Sequence, residues 1–268
     1  MADDVPAEPP GSRIDTSVPH SARIWNYWLG GKDNFAADRE AGDAYSQVFP
    51  RITEIARASR YFLTRVVRHL AGEAGVRQFL DIGTGLPTAD NTHEVAQRVA
   101  PESGIVYVDN DPLVLAHARA LLTSSPKGFC DYLDADLRDP AKILHEAAAI
   151  LDFGRPVALM LMGIMGHIGD AGVYPITRQL VSGLPSGSYL ALYDGSNISP
   201  AFNQAQTGYN QTGAAPYYLR SPARIARFFD GLQLVEPGVV SCSRWRPGYS
   251  PFGTPPEVET YGGLARKP

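Results

Sequence analysis

Five short apolar runs, at about 77–82, 104–109, 129–134, 156–162 and 187–194, alternate with stretches whose apolar residues recur every three or four positions. The stretches are DNTHEVAQRVAP, PLVLAHARALL, DPAKILHEAAAILD and GVYPITRQLVSGLP, each with the spacing of one helix face. Strands separated by helices of this length run parallel, and a parallel sheet must be covered on both faces. The pattern therefore predicts an α/β fold. A last helix is expected in SPARIARFFDGL, with Ser221 as N-cap and Pro222 in the first turn. QLVEPGVV and VETYGGLARKP then read as two closing strands.

Upstream of Gly75, SARIWNYWLGGKDNFAADREAGDAYSQVFP and RITEIARASRYFLTRVVRHLAGEAG carry helical spacing broken at Gly30-Gly31 and at Pro50. Residues 1–20 are rich in Pro, Ala and acid and hold almost no large apolar side chain, so they are expected to be a disordered tail. The predicted organisation is a tail over 1–20, a helical extension or lid over 21–75, and a ligand-binding domain over 76–268. With 268 residues the chain suits one large domain plus this extension.

Charge and composition narrow the partners. A net charge of -4 supplies no basic field to gather a phosphate backbone, so no nucleic-acid partner is expected. No apolar run approaches the roughly 20 residues needed to cross a bilayer, and the acidic, Pro-rich start differs from a secretory signal, so a cytoplasmic protein without a membrane partner is expected. Cys130 and Cys242 lack the paired spacing of a zinc site and read as reduced thiols, and no metal is expected.

Ligands of open parallel sheets bind at the carboxyl ends of the strands. There the sequence places FLDIGTGLPT, in which Asp81 precedes Gly83-Thr84-Gly85 and Pro87 stands where a dinucleotide fingerprint has its third glycine. IVYVDND puts Asp109 at the end of the second strand, suited to both hydroxyls of a ribose, and DYLDADLRD puts Asp136 after the third, suited to an adenine amine. Three carboxylates repel a pyrophosphate but suit a nucleoside with a cationic, phosphate-free tail. S-adenosylmethionine is such a molecule.

The ordered set of an acid with a Gly-x-Gly turn, an acidic second strand end and an Asp after the third strand resembles the class I S-adenosylmethionine-dependent methyltransferases. ARIWNYWLGGKDNFAADREA, FLDIGTGLPTADNTHEVAQRVAP, VYVDNDPLVLAHARALL, ADLRDP, LVEPGVV and WRP are similar to an actinobacterial S-adenosyl methyltransferase family, formerly a domain of unknown function. The resemblance covers nearly everything after Pro19. It implies a Rossmann-like fold with a mostly parallel seven-stranded sheet, S-adenosylmethionine as cofactor with S-adenosylhomocysteine as product, and an unspecified acceptor, expected to be a small molecule. It also implies a cofactor site of Asp81, Gly83, Thr84, Gly85, Asp109, Asn110, Asp136, Leu137, Met162 and Gly163.

The chain departs from that family in ALMLMGIMGHIGD, where a Leu-His pair is expected, and at Tyr193-Asp194, where a His is expected. His167, Tyr193 and Asp194 follow strand ends and are the candidates for proton transfer. No Asn-Pro-Pro-Tyr motif follows the fourth strand, which argues against methylation of a DNA base amine. Trp25, Tyr27, Trp28 and Phe35 surround the polar GGKDN loop, either as ordinary packing or as a lid in which Tyr27, Lys32, Asp33 and Asn34 face the substrate. His93, His117 and His145 fall on amphipathic helices without metal-ligand spacing, and Arg244-Trp245-Arg246 reads as a capped edge. Two other readings of the same site stay open: a non-catalytic S-adenosylmethionine binder, and an enzyme that uses the aminobutyl arm of the cofactor.

Overall fold

The structure, a computed structural model, describes residues 15–121 and 123–268, with the side chains of 118–121 left out. The expected tail over 1–20 therefore lies mostly outside the described residues. Its visible end is held in place: the Arg23 guanidinium donates to the carbonyls of Asp15 and Val18, and the His20 amide donates to Asp38 at 2.8 Å.

The five apolar runs form the parallel strands β1 Gln78–Ile82, β2 Gly104–Asp109, β3 Phe129–Asp134, β4 Ala158–Met162 and β5 Tyr189–Gly195. Three further strands, β6 Gln233–Leu234, β7 Val240–Ser241 and β8 Thr260–Arg266, are antiparallel additions, in the order β3-β2-β1-β4-β5-β8-β6 with β7 also paired to β8. The expected seven-stranded sheet thus has eight strands. QLVEPGVV does not run as one strand, because Pro237 has no N–H for a ladder and Gly238 turns the chain at φ 84°.

Alternation along each strand divides the core in two. Phe79, Ile105, Met160 and Ala191 face one way, while Leu80, Val106, Leu159 and Leu192 face the other. The first face carries the N-terminal helices α1 Ser21–Trp28, α2 Ala36–Val48 and α3 Ile52–Gly72, together with α4 Thr92–Val99. In α3, Ile52, Ile55, Ser59, Phe62, Val66 and Leu70 are buried at spacings of three and four, so the apolar stripe read from the sequence lies on the sheet. Burying one such large aliphatic side chain is worth about 1.5–3 kcal/mol.

Helix α5 Pro112–Leu121 follows β2. Helices α6 Pro140–Ala147 and α7 Asp170–Ser182 cover the second face. Helix α8 Pro200–Tyr209, which the periodicity did not foretell, packs against α2, and α9 Pro222–Ala226 begins where Ser221 accepts a hydrogen bond from the Arg224 amide at 3.3 Å. Among the described residues no helix is long and apolar enough to cross a membrane. Strand order reverses at β1, which lies between β2 and β4, so the crevice for a ligand opens above the ends of these strands.

Candidate functional site

Above that switch point lies a cavity of about 290 Å³, lined by residues of α1, α3 and α8, by Tyr45 of α2 and by the turns after the parallel strands. The turn after β1 sets its floor. Gly83 and Gly85 have φ of 74° and 66°, a left-handed conformation that L side chains rarely adopt. A Cβ on Gly83 would fall 2.4 Å from Ile164, so the glycine is needed for the turn to pass beneath the β4 loop. At Gly85 the nearest atom to such a Cβ is Ala22 Cβ at 3.9 Å, which leaves its backbone bare toward the cavity.

The carboxylates are organised by this turn. Asp109 at the end of β2 accepts the amides of Gly85 at 3.0 Å, Asn110 at 2.9 Å and Asp111 at 3.0 Å. Its pKa is nevertheless raised, because burial outweighs those hydrogen bonds. Asp81 accepts the Thr92 hydroxyl at 2.6 Å, and burial pushes its carboxyl up to about 6. Asp136 accepts the Asn110 side-chain amide at 3.2 Å, which ties the ends of β2 and β3 together.

Every residue of the expected cofactor set borders the one cavity: Asp81, Gly83, Thr84 and Gly85 from the first turn, Asp109 and Asn110 from the second, Asp136 and Leu137 from the third, and Met162 and Gly163 from the fourth. Gly163 has φ 81°, and a Cβ there would lie 2.9 Å from the Tyr193 ring. His167 and Tyr193 also border the cavity. His167 Nδ1 lies 3.0 Å from the Pro216 carbonyl, and since a carbonyl only accepts, Nδ1 carries the proton and Nε2 keeps its lone pair. Burial lowers the His167 pKa, so the ring rests neutral. Burial raises the Tyr193 phenol far above its ordinary value, which leaves it a proton donor.

Asp194 is not where a base should be. It is fully buried outside the cavity wall, held by the Tyr217 hydroxyl on one oxygen and by the Arg220 guanidinium at 3.1 Å on the other. Strand alternation explains this, because Tyr193 and Asp194 point to opposite faces. The lid residues need a similar correction. Tyr27, Lys32, Asp33 and Asn34 do not border the cavity, whereas Ala22, Trp25, Asn26, Trp28 and Leu29 do. Tyr27 lies on the other side of α1, where its hydroxyl donates to Asp43 at 2.7 Å.

The GGKDN loop is wrapped round Asn26. The Asn26 carboxamide accepts from the Asp33 amide at 3.1 Å and from the Asn34 side chain at 3.0 Å, and a Cβ on Gly31 would lie 2.3 Å from it. The double glycine is thus explained by the turn itself.

His20, Arg60, Arg138, Gln206, Tyr209 and Tyr217 also line the cavity, and sequence reasoning passed over all six. His20 caps α1, its Nδ1 accepting the Ala22 amide at 3.3 Å, and stands 3.1 Å from Asp111 of the second turn. The other bystander residues stay structural: His93 is buried against the Tyr107 hydroxyl at 2.9 Å, and Trp245 is buried against Phe62.

Comparison with known proteins adds the family. A family model described as S-adenosyl methyltransferase matches residues 7–268. A DUF574 family protein from Streptomyces avermitilis MA-4680 has a crystal structure superposing with a TM-score of 0.91 at 46% identity, covering 96% of this chain and 100% of that one. A candidate methyltransferase from Thermobifida fusca YX gives 0.87 at 40% identity, covering 98% and 99%. A SAM-dependent methyltransferase from Anabaena variabilis, at 11% identity and a TM-score of 0.51 over 75% of this chain and 80% of that one, shares the fold alone. No curated protein matches the chain.

Proposed function

The chain belongs to the S-adenosyl methyltransferase family and is an S-adenosylmethionine-dependent methyltransferase, and from that premise we propose that it methylates a small molecule held in the cavity, with His167 as general base. The observation that carries this reading is the convergence of the glycine turn, the carboxylates and His167, whose Nδ1 lies against the Pro216 carbonyl, on one cavity.

The residues fit the cofactor. The bare backbone of Gly85 lets a nucleoside lie against the turn, and two oxygens of Asp109 are oriented by three amides for a ribose diol. Asp136 and the Leu137 amide suit the adenine edge, and Asp81 suits the cationic end. When bound, S-adenosylmethionine supplies a methyl group already activated by its sulfonium, so the chain has to align the acceptor, exclude water and take up a proton. Helix α1, which borders the cavity and is held by the buried Arg23–Asp38 pair, would limit the access of water. His167 accepts the acceptor's proton at Nε2 while the Pro216 carbonyl holds Nδ1–H.

A cavity of about 290 Å³ favours a small acceptor, and the net charge of -4 argues against a nucleic acid. Calorimetry is expected to show binding of S-adenosylmethionine and S-adenosylhomocysteine but not of NAD. In the protein incubated with cell extract, S-adenosylhomocysteine should accumulate. Accumulation of methylthioadenosine, or turnover unchanged in a folded His167→Gln variant, would refute the respective parts of this reading.

A further inference from the structure

Resting on the cofactor assignment above, we propose that the guanidinium of Arg60, on α3, holds the carboxylate at the amino-acid end of S-adenosylmethionine, while Asp81 takes the ammonium on the same carbon atom.

That end of the cofactor carries two charges of opposite sign. In a site walled by Asp81, Asp109 and Asp136 its ammonium finds partners, but its carboxylate is repelled. A carboxylate taken out of water without a cation is strongly disfavoured, and a guanidinium is the side-chain group shaped to receive it. Two arginines border the cavity, Arg60 and Arg138. Arg138 is committed to Asp136 at 3.0 Å, at the end assigned to the adenine. His20 stands against Asp111, and burial keeps His167 neutral. Arg60, by contrast, pairs with no carboxylate among the described residues and makes its side-chain hydrogen bonds to carbonyls alone.

The placement of Arg60 suits the role. Ile55, Ser59 and Leu63 of α3 border the cavity at spacings of four, and Arg60 stands next to them on the helix. Its Nη2 donates to the carbonyls of Ala89 at 3.0 Å and Asp90 at 2.9 Å, which holds the guanidinium against the segment between the glycine turn and α4. Nε is enclosed without a partner. Nη1 has no partner either and is not enclosed, which leaves it as the donor for a ligand. The charge of Arg60 reaches Asp81 and Tyr193 and favours the ionised form of each, so the guanidinium belongs to the Asp81 end of the cavity.

Asp81 is arranged as its counterpart. The Thr92 hydroxyl occupies Oδ2 at 2.6 Å, whereas Oδ1 has no partner and is not enclosed. With the residue only 4% exposed and bordering the cavity, that oxygen is the one left for an ammonium. Helix α3 therefore supplies the cofactor site with a charge that the strand-end turns lack, in addition to covering the sheet.

The test is calorimetry on the full chain with three ligands. They are S-adenosylhomocysteine, its analogue without the carboxylate (S-adenosylthiopropylamine), and methylthioadenosine, which lacks the whole amino-acid end. The unaltered protein should bind S-adenosylhomocysteine at least about tenfold more tightly than the thiopropylamine. Arg60→Met should weaken S-adenosylhomocysteine about ten- to hundredfold, the loss expected for a hydrogen-bonded charge pair, and should not weaken the other two. Equal affinity of the unaltered protein for S-adenosylhomocysteine and the thiopropylamine overturns the inference, and this comparison holds even where the variant does not fold. Unchanged S-adenosylhomocysteine affinity in Arg60→Met overturns it as well, as does an equal loss for methylthioadenosine, which marks Arg60 as a support for the Ala89–Asp90 segment. Failure of the unaltered protein to bind both S-adenosylhomocysteine and methylthioadenosine overturns the cofactor assignment and this inference with it.

Discussion

Replacing Arg220 by Met separates a structural role of Asp194 from a catalytic one. The guanidinium is fully buried, pairs with Asp194 and donates to the carbonyls of Met165 and Ile168, so it pins the β4–α7 loop that carries His167. Removing one partner of such a pair leaves a buried charge and costs about 3–5 kcal/mol. For a chain of this size that corresponds to a fall in Tm of roughly 6–20 °C.

The pH dependence gives the diagnostic sign. Burial pushes the Asp194 carboxyl up to about 6, above its unfolded value of 3.8, so the folded state holds that proton more tightly and loses stability as pH rises through this window. Without Arg220 the carboxyl rises further, and at about pH 5 it stays protonated and avoids the charge cost. The deficit should then shrink to the about 1–3 kcal/mol expected for the unsatisfied Met165 and Ile168 carbonyls and the altered packing. Urea unfolding of both proteins at about pH 8 and about pH 5 reads this difference. A deficit below about 1 kcal/mol at both pH values, or one that grows on acidification, would refute the buried pair as the stabilising element.

Three further outcomes follow from the cofactor end. Asp109→Ala removes a charged acceptor from the ribose site and should weaken S-adenosylhomocysteine by about 1.5–3 kcal/mol, or ten- to hundredfold by calorimetry; unchanged affinity in a folded variant would exclude the ribose role. Because the Asp81 carboxyl titrates at about 6, S-adenosylmethionine should bind fully above that pH and progressively less tightly as pH falls through it, a slope that Asp81→Asn should flatten. Gly85→Val forces a β-branched residue to φ 66°, costing at least about 1–2 kcal/mol, and fills the gap below Ala22, so nucleoside binding should be lost; normal binding would mean that the turn does not touch the ligand.

The inner parallel strands were legible because strands buried on both faces leave unbroken apolar runs, and β2 has the expected bounds; β3 has them too, although it is the partly exposed edge strand and carries Asp131 and Asp134. Helix α8 was hidden by Asn203, Gln204, Gln206 and Thr207, which mask its period, although Ser199-Pro200 marks its start in the same way as Ser221-Pro222 marks α9. The position of each carboxylate at a strand end was legible too, since it depends only on local pattern. Its neighbours were not. Arg220 reaches Asp194 across 26 positions and Tyr45 reaches Gln206 across 161, and pairings of that range leave no periodic trace. Which aromatic residues of α1 meet the cavity depends on the helix face, with Trp25, Trp28 and Leu29 on the cavity side and Tyr27 off it.

The central claim is that the glycine turn and its carboxylates hold the nucleoside of S-adenosylmethionine beside His167. A crystal structure of the protein with S-adenosylhomocysteine tests it most directly. Both ribose hydroxyls are expected on the Asp109 carboxylate, the adenine between the Asp136–Leu137 segment and the β4 loop, and the sulfur directed toward the His167 side of the cavity. A ligand bound elsewhere, or in this cavity with its ribose beyond hydrogen-bonding distance of Asp109, would contradict it.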